Sequence, residues 1–447
     1  MKRIGDILTR NKTPVTVLDD VTYKQVTIRT NYKGVVLRGS QNGSSIGTKN
    51  QSAVSAGQFI LSRIDARNGA FGIVPEELEG AIVTNDFLAF DINEEEVERE
   101  FFNVFLQAPQ FLEACMKASR GNTNRKRVDE DFFLNYQVNL PPLAEQHEII
   151  KQINKGRTKL ALAQHEITHQ QSLLAKLKQA ILQEAIQGKL TADWRAAHPD
   201  AEPASQLLHR IQAEKARLIA AKKLRPEKPL PKITLAEIPF EIPKGWEWCR
   251  LDKIAMDVSY GTSQKAHLEA IGIPVLRMGN ITSDGTLKYT DLKYVSPNIK
   301  DLPRLFLESG DIVFNRTNSY ELVGKSAVFR HEQPFTLASY LIRVRLFDGL
   351  VPEYAAYFIN SAICRAEFIE PDVIQQNGQA NFNGTKLKTI PIPLPPLAEQ
   401  AAIVDRVEAL MTTCLALETE IEHARTHAAH LLQAVLKEAF APASSND

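Results

Sequence analysis

Three groups of residues in this 447-residue chain carry side chains that could do chemistry at a suggestive spacing. His165 and His169, and again His423 and His427, lie i,i+4, so a helix would bring two imidazoles to one face in the manner of a metal grip. No third ligand accompanies either pair, and solvated helix surface accounts for both. Gly324-Lys325-Ser326 has the ending of a phosphate-binding loop, but GxxxxGK[ST] requires glycine at position 319, where the chain has Ser319 in a β-rich stretch. Cys115, Cys249, Cys364 and Cys414 are far apart and form no CxxC pair, so neither a zinc site nor a disulfide framework is written here and a reducing compartment is expected. An adenine methyltransferase would need an Asn/Asp-Pro-Pro-aromatic motif and a glycine-rich cofactor loop. The only paired prolines, at 141–142 and 395–396, lie between leucines. The sequence therefore assigns no catalytic residue, no metal ligand and no cofactor to this chain.

Binding groups are better represented. Arg120-Gly121-Asn122-Thr123-Asn124-Arg125-Lys126-Arg127 is a basic, amide-rich loop, and Gln375-Gln376-Asn377-Gly378-Gln379-Ala380-Asn381 stands in its place later in the chain. Arginine, asparagine and glutamine make bidentate contacts to guanine and adenine edges, and lysine and arginine neutralise phosphates. Two further clusters, Arg63, Arg67 and Asn68, and Asn315, Arg316 and Asn318, each follow a β-rich run. Thr262, Ser263, Gln264, Lys265, Asn280 and the paired arginines Arg38 and Arg277 complete the candidate DNA-contacting set.

These groups are arranged by a duplication. Leu140-Pro141-Pro142-Leu143-Ala144-Glu145-Gln146 returns unchanged as Leu394-Pro395-Pro396-Leu397-Ala398-Glu399-Gln400, and the same offset aligns Leu177–Ala185 with Leu431–Ala439. Gly57–Arg63 matches Gly310–Arg316, and Val36-Leu37-Arg38-Gly39 echoes Val275–Gly279. The prolines suit a helix start, and the glutamates then lie near the positive end of the dipole. Ile153, Leu160, Ile167, Leu174 and Ile181 share one heptad position of the first helix. Val407, Cys414, Ile421, Ala428 and Val435, together with Ile403, Leu410, Leu417, Ala424 and Leu431, supply two positions of the second. The pattern predicts a two-helix coiled coil.

At 447 residues and 44% apolar content the chain is expected to be ordered and to hold more than one core. The punctuation divides it into a mixed α/β block at 1–140, a long helix at 141–190, a helical and Pro-rich connector at 191–243, a second block at 244–394, a second long helix at 395–441 and a frayed tail at 442–447. Net charge is zero overall, yet 141–190 and 191–243 are basic while 395–447 is acidic, a complementarity that suits two apposed helices. Each block is near neutral, so phosphate neutralisation by the blocks alone would be weak. No secretory leader opens the chain and no run of 18 apolar residues occurs, so neither export nor membrane spanning is expected.

The doubled Leu-Pro-Pro-Leu-Ala-Glu-Gln entry to a long helix, each copy preceded by a divergent block, resembles the specificity subunit of type I restriction-modification systems. Gly188-Lys189-Leu190-Thr191-Ala192-Asp193-Trp194-Arg195, Gly245-Trp246-Glu247-Trp248 and Tyr260-Gly261-Thr262-Ser263 look like further motifs of that family. One departure is that the first block opens at Arg3-Ile4-Gly5-Asp6-Ile7 without the Gly-Trp lead, which predicts an abbreviated first strand. The resemblance implies an α/β (α+β) chain in which two target recognition domains are separated by an antiparallel two-helix coiled coil with pseudo-twofold symmetry. It implies that each domain reads one half of a bipartite, asymmetric site in double-stranded DNA, that the helices set the spacing and dock two methyltransferase subunits, and that restriction/translocase subunits join them in the cytoplasm of a bacterium or archaeon. S-adenosylmethionine, ATP and Mg are then expected on the partners, and this chain is non-catalytic. Two other readings stay open on the residues alone: a coiled-coil adaptor that binds only protein, and a self-contained methyltransferase or nuclease.

Overall fold

A computed structural model describes residues 1–121, 126–376 and 378–439. The chain divides into two compact units, Met1–Glu166 with Ala424–Asp447, and Ile167–His423.

In the first unit, the run Phe59-Ile60-Leu61-Ser62 is buried throughout, and the period-two alternation of a strand sends its side chains into two cores. Phe59 and Leu61 enter an aromatic cluster with Phe71, Phe90, Phe101, Phe102, Phe105, Phe111 and Phe133, while Ile60 joins a smaller aliphatic group around Val26, Val54 and Val74. Phe111 stands edge-on to Phe59 and Phe71, with ring centroids 5.6 and 5.1 Å away, the arrangement favoured by the aromatic quadrupole. The strand belongs to an antiparallel four-stranded sheet in the order Leu8–Asn11, Phe87–Ile92, Phe59–Ser62, Phe71–Ile73. A five-stranded sheet accompanies it, with Val35–Asn42 at one edge.

The second unit repeats this frame. Ala255–Tyr260, Leu341–Leu346, Ile312–Asn315 and Ser326–Val328 form a four-stranded sheet with the same order, again antiparallel. The second sheet is not repeated: it has three strands, Lys293–Val295, Ile273–Leu276 and Thr336–Leu337. The closing strand pair is repeated at unequal length. Lys2–Arg3 pairs with Gln137–Val138, and the four residues Glu247–Arg250 pair with Pro391–Leu394.

Both long helices form, Leu143–Ile186 over 44 residues and Leu397–Ala439 over 43. At 1.5 Å per residue the first is about 66 Å long. The duplicated glutamine fixes each helix start to its block. Gln146 is fully buried; its Nε2 donates to the carbonyls of Pro141 and Glu96, and its Oε1 accepts from the backbone N–H of Glu98, the N-cap of the helix Arg99–Phe105. Gln400 repeats the pattern, donating to the Pro395 carbonyl and accepting from the N–H of Val351, the N-cap of Pro352–Asn360. One side chain thus satisfies an orphan donor at a helix N-terminus of the block and anchors the next helix at the same time. Ile150 and Ile153 carry the first long helix into the aromatic core.

Within the second unit the helices run antiparallel. Lys178 Nζ pairs with Glu418 Oε1 at 2.6 Å, and past the end of the first helix Asp193 Oδ2 pairs with Arg406 Nη2 at 2.6 Å, so a step forward on one side is a step back on the other. The seam is narrower than the heptads predict. Ile153, Ile167, Leu174 and Ile181 are buried and Leu160 is half-buried on the first helix, and Val407, Cys414 and Ile421 are buried on the second. At the other expected position, Ile403 is buried beside its block, but Leu410, Leu417 and Leu431 are 40, 46 and 53% exposed. A two-helix contact covers one stripe of each helix, and these leucines lie outside it. Val435 and the tail at 442–447 lie outside the described side chains.

The helical, Pro-rich connector is also packed into the second unit through its first residues. It forms the helices Ala192–Ala197 and Ala204–Ala220, and Thr191 and Arg195 converge on Glu399. Glu399 has no exposed surface; it accepts from Thr191 Oγ1 at 2.7 Å, from Trp246 Nε1 at 2.8 Å and from Arg195. Its copy Glu145 is exposed. Because Ile153 belongs to the aromatic core and Leu162 is 65% exposed, Ile153→Ala is expected to cost about 2–5 kcal/mol and Leu162→Ala within about 0.5 kcal/mol, read from urea-denaturation midpoints.

Candidate nucleic-acid interface

The two arginines that end the matching strands are held alike. In the second unit the Arg316 N–H donates to Tyr340 O at 3.1 Å, and its carbonyl accepts from Phe382 N at 2.8 Å. In the first, Arg63 N–H donates to Asp86 O at 2.7 Å, and its carbonyl accepts from Val128 N at 2.8 Å. Each arginine is clasped where the four-stranded sheet ends and a short ribbon begins.

In the second unit the ribbon is the antiparallel pair Ile374–Gln376 and Gln379–Asn381, with Thr317–Asn318 as a third strand against Gln379–Asn381. Gln375 and Gln379 are exposed, and Ile374 is 60% exposed. Asn381 is tied down, its Oδ1 accepting from Thr317 Oγ1 at 2.8 Å, and the half-buried Asn318 accepts from Ser319 N at its Oδ1. The Arg316 guanidinium sits 4.8 Å from the Tyr260 ring centroid, and the Tyr260 hydroxyl accepts from Gly384 N at 2.9 Å. A two-stranded ribbon fits the major groove, where glutamine can read adenine and an apolar side chain can meet a thymine methyl. Nothing is described of the Gln376 side chain.

In the first unit the ribbon is Ser119–Arg120 against Arg127–Val128, with Arg120 opposite Arg127. Asn122, Asn124 and Arg125 lie outside the described residues. Lys126 is exposed. Arg127 pairs with Asp86 at 2.9 Å, and Arg120 pairs with Asp129 at 3.3 Å while lying 4.6 Å over the Phe132 ring. The half-buried Arg63 has an Nε that is buried without a hydrogen-bond partner. Arg67 and Asn68 form the next turn, where Asn68 O and Gly69 O accept from the N–H groups of Asn31 and Tyr32. Asn31 and Tyr32 both hold positive φ, at 58° and 59°, a strained conformation of the sort found in binding loops. Arg38 is exposed on the edge strand Val35–Asn42.

Three candidates are corrected. Thr262 is buried and donates to Asp301 Oδ2 at 2.7 Å. Asn280 is buried, its Nδ2 donating to the carbonyls of Lys288 and Thr290 and its Oδ1 capping Arg277 N. Asn315 is buried within the four-stranded sheet. Side chains enclosed in this way are out of reach of a base edge. Arg277 is half-buried at that capped turn, and Ser263, Gln264 and Lys265 follow Thr262, the first two exposed and Lys265 likewise. The Tyr-Gly-Thr motif is explained by packing: a Cβ on Gly261 would lie 2.3 Å from the carbonyl oxygens of Leu337 and Ala338.

Residue type and spacing alone miss Asn31, Tyr32, Tyr260 and Ile374. For Asn31 and Tyr32 a signal exists, since Asn-Tyr-Lys-Gly between two β-rich runs is turn chemistry. For Ile374 none does, because an isoleucine in a strand reads as core.

The reactive-looking groups fall away. His165, His169, His423 and His427 are all exposed, and among the described residues no three His, Cys, Asp or Glu side chains gather as a metal site. Ser326, after Gly324-Lys325, is a buried strand residue. All four cysteines are free and buried, and burial pushes the Cys249 thiol up to about 12. Among the described residues no helix is long and apolar enough to cross a membrane.

Compared with known proteins, residues 1–170 and 243–424 match the family model for the type I restriction modification DNA specificity domain. The chain is 28% identical over 387 residues to the type I restriction enzyme EcoEI specificity subunit and 29% identical over 396 residues to the EcoAI specificity subunit, both of Escherichia coli. Each alignment covers 76% of this chain but 64% of the relative, so the chain spans under two thirds of the length of these relatives. The fold is similar to the crystal structure of the HsdS subunit from Thermoanaerobacter tengcongensis, with a TM-score of 0.54 at 18% identity over 98% of this chain and 95% of that one.

The two classes of polar residue should separate in stability measurements. Asn280→Ala, which removes a buried amide's bonds to the Lys288 and Thr290 carbonyls and to Arg277 N, is expected to cost about 1–3 kcal/mol, and Gln379→Ala on the exposed ribbon within about 0.5 kcal/mol, both read as shifts in the thermal unfolding of the second block.

Proposed function

Because this chain belongs to the type I restriction-modification DNA specificity domain family, we propose that it is the DNA-reading subunit of a type I restriction-modification complex and performs no chemistry of its own. Residues 1–140 and 244–394 each read one half of a bipartite, asymmetric site in double-stranded DNA. The observation that carries this is the doubled clasp at Arg63 and Arg316: one backbone frame, two ribbons of different chemistry, arginine and lysine in the first and glutamine and asparagine in the second. A shared frame with divergent tips suits an asymmetric target, since guanine favours arginine and adenine favours glutamine or asparagine. Arg63, Arg67, Asn68, Arg120, Lys126, Arg127, Arg316, Asn318, Gln376, Gln379 and Asn381 form the contact set, with Tyr260 and Gln375 added by the geometry.

The long helices set the spacing between half-sites and dock two methyltransferase subunits. Leu410, Leu417 and Leu431, heptad-spaced and exposed, offer a second apolar stripe for a partner helix. Methyl transfer to adenine, with S-adenosylmethionine, belongs to those partners, and ATP and Mg belong to the restriction/translocase subunits, all in the cytoplasm. Replacing residues 1–140 with those of another family member is expected to change only one half of the methylated motif, mapped across the genome of a host carrying the chain with its methyltransferase. A change in both halves would overturn the modular reading. Within the second block, Gln379→Ala is expected to relax one base position by about 1–3 kcal/mol and leave the other half-site unchanged.

A further inference from the structure

The blocks are close to electrically neutral, whereas the segment between the first long helix and the second block is basic. The structure shows where part of that charge goes. In the second unit a cleft of about 500 Å3 is lined by five cations, Lys215, Lys223, Arg225, Arg304 and Lys388, and by three carboxylates. Those carboxylates are already used. Glu227 pairs with Lys388 at 2.6 Å, Asp252 with Lys215 at 3.9 Å, and Asp257 with Arg343 at 2.7 Å. Burial opposes ionisation of Asp257, but its hydrogen bonds from Arg343 and Ser259 outweigh this and hold the carboxyl below its usual range. Lys223, Arg225 and Arg304 remain exposed, and among the described residues none of them makes an ion pair.

The first two cations are held in place by the backbone. The helix Ala204–Ala220 closes with Lys222 in the left-handed conformation, φ 58°, with Lys222 N donating to Ile219 O at 3.0 Å and Lys223 N to Leu218 O at 2.9 Å. This pair of bonds is the Schellman stop, and it fixes the chain direction into Arg225 and Pro226. The cleft is also tied to the candidate interface by a single strand. Met256, Asp257 and Val258 line it, and the same strand, Ala255–Tyr260, ends at the Tyr260 ring that lies beneath Arg316. Two to four residues of strand span about 7–13 Å, the rise of about two to four phosphates along one DNA strand at about 3.4 Å each.

We propose that Lys223, Arg225 and Arg304 form a sequence-independent clamp on the phosphodiester backbone flanking the second half-site, so that the connector supplies the positive field its blocks lack. This rests on the DNA-reading function proposed above. Unpaired cations on a rigid turn suit phosphate, which asks for charge and no particular base.

The test uses the full chain co-expressed with its methyltransferase subunits and two duplexes of equal length, one carrying the mapped site and one scrambled. The variant Lys223→Gln/Arg225→Gln/Arg304→Gln replaces the charges with neutral polar side chains, and its thermal unfolding is compared with the parent's to confirm folding. The slope of log affinity against log salt should fall by about 0.9 for each phosphate that is no longer neutralised, so between about 50 and 200 mM salt the parent loses roughly 40-fold more affinity than the variant if all three engage. The weakening should be equal on both duplexes, leaving their ratio unchanged. An unchanged slope overturns the proposal, as does a weakening confined to the mapped duplex, which would make these residues base readers. Unchanged DNA binding with reduced recovery of methyltransferase also overturns it, in favour of an acidic protein partner. If the parent binds both duplexes equally, the DNA-reading function fails instead, and the slope on the scrambled duplex still decides the clamp.

Discussion

A buried amide at the first turn of each long helix is the constraint on which each unit depends. Gln146 and Gln400 each join three chain segments: the proline pair that starts the long helix, the helix itself, and the N-cap of a helix inside the block. A neutral hydrogen bond contributes about 0.5–1.5 kcal/mol net, but leaving its buried partners unpaired costs more. The arrangement therefore acts less as a source of stability than as a restriction on geometry, since the helix cannot swivel at its root without stranding buried backbone groups. The prolines support this by having no N–H to satisfy at a helix start. A block fixed this way to its helix moves with the root of that helix.

The duplication is then a duplication of this root and of the four-stranded sheet, not of everything between them. Sheet order, the arginine clasp and the glutamine bridge recur, while the second sheet changes from five strands to three and the ribbon exchanges arginine for glutamine. The retained parts are those whose hydrogen bonds are internal to the frame, where a change would leave buried polar groups unpaired. The ribbon tips face solvent, whereas the second sheets diverge although they are buried, with Val26 and Val54 in a core of the first unit and Leu276 and Leu337 in a core of the second. Even the duplicated Leu-Pro-Pro-Leu-Ala-Glu-Gln is not used identically: Glu399 is enclosed by Thr191, Arg195 and Trp246, and Glu145 is exposed. The connector and the Gly-Trp lead supply those three partners to the second copy.

That asymmetry shows what was legible in the sequence. The helices and the sheet strands Ile312–Asn315 and Leu341–Leu346 follow from periodicity, proline placement and repeat alignment. The candidate interface was legible as to loops but not as to side chains. Thr262, Asn280 and Asn315 have the right chemistry for DNA and turn inward. Asp301 and Lys288 bond the first two, and the strand neighbours that enclose Asn315 come from elsewhere in the chain. Polar type alone does not distinguish a side chain that reads a base from one that caps a turn. Conversely, Ile374 and Tyr260 are apolar or aromatic residues that a pattern assigns to a core, and only the ribbon's position brings them to the surface.

The narrowed helix seam follows from the same limit. A heptad pattern states which residues share a stripe, not how many stripes one neighbour can cover. Each long helix has a buried stripe, yet Leu410, Leu417 and Leu431 on one, and Leu162, Leu173 and Leu177 on the other, remain 40% or more exposed. Leucines left this exposed keep only part of the stabilisation that full burial would give them. Two helices in contact bury one face each; a larger bundle buries two. The sequence therefore encodes more apolar helix surface than one helix–helix contact covers, which is why the heptads predict a wider seam than the one that forms.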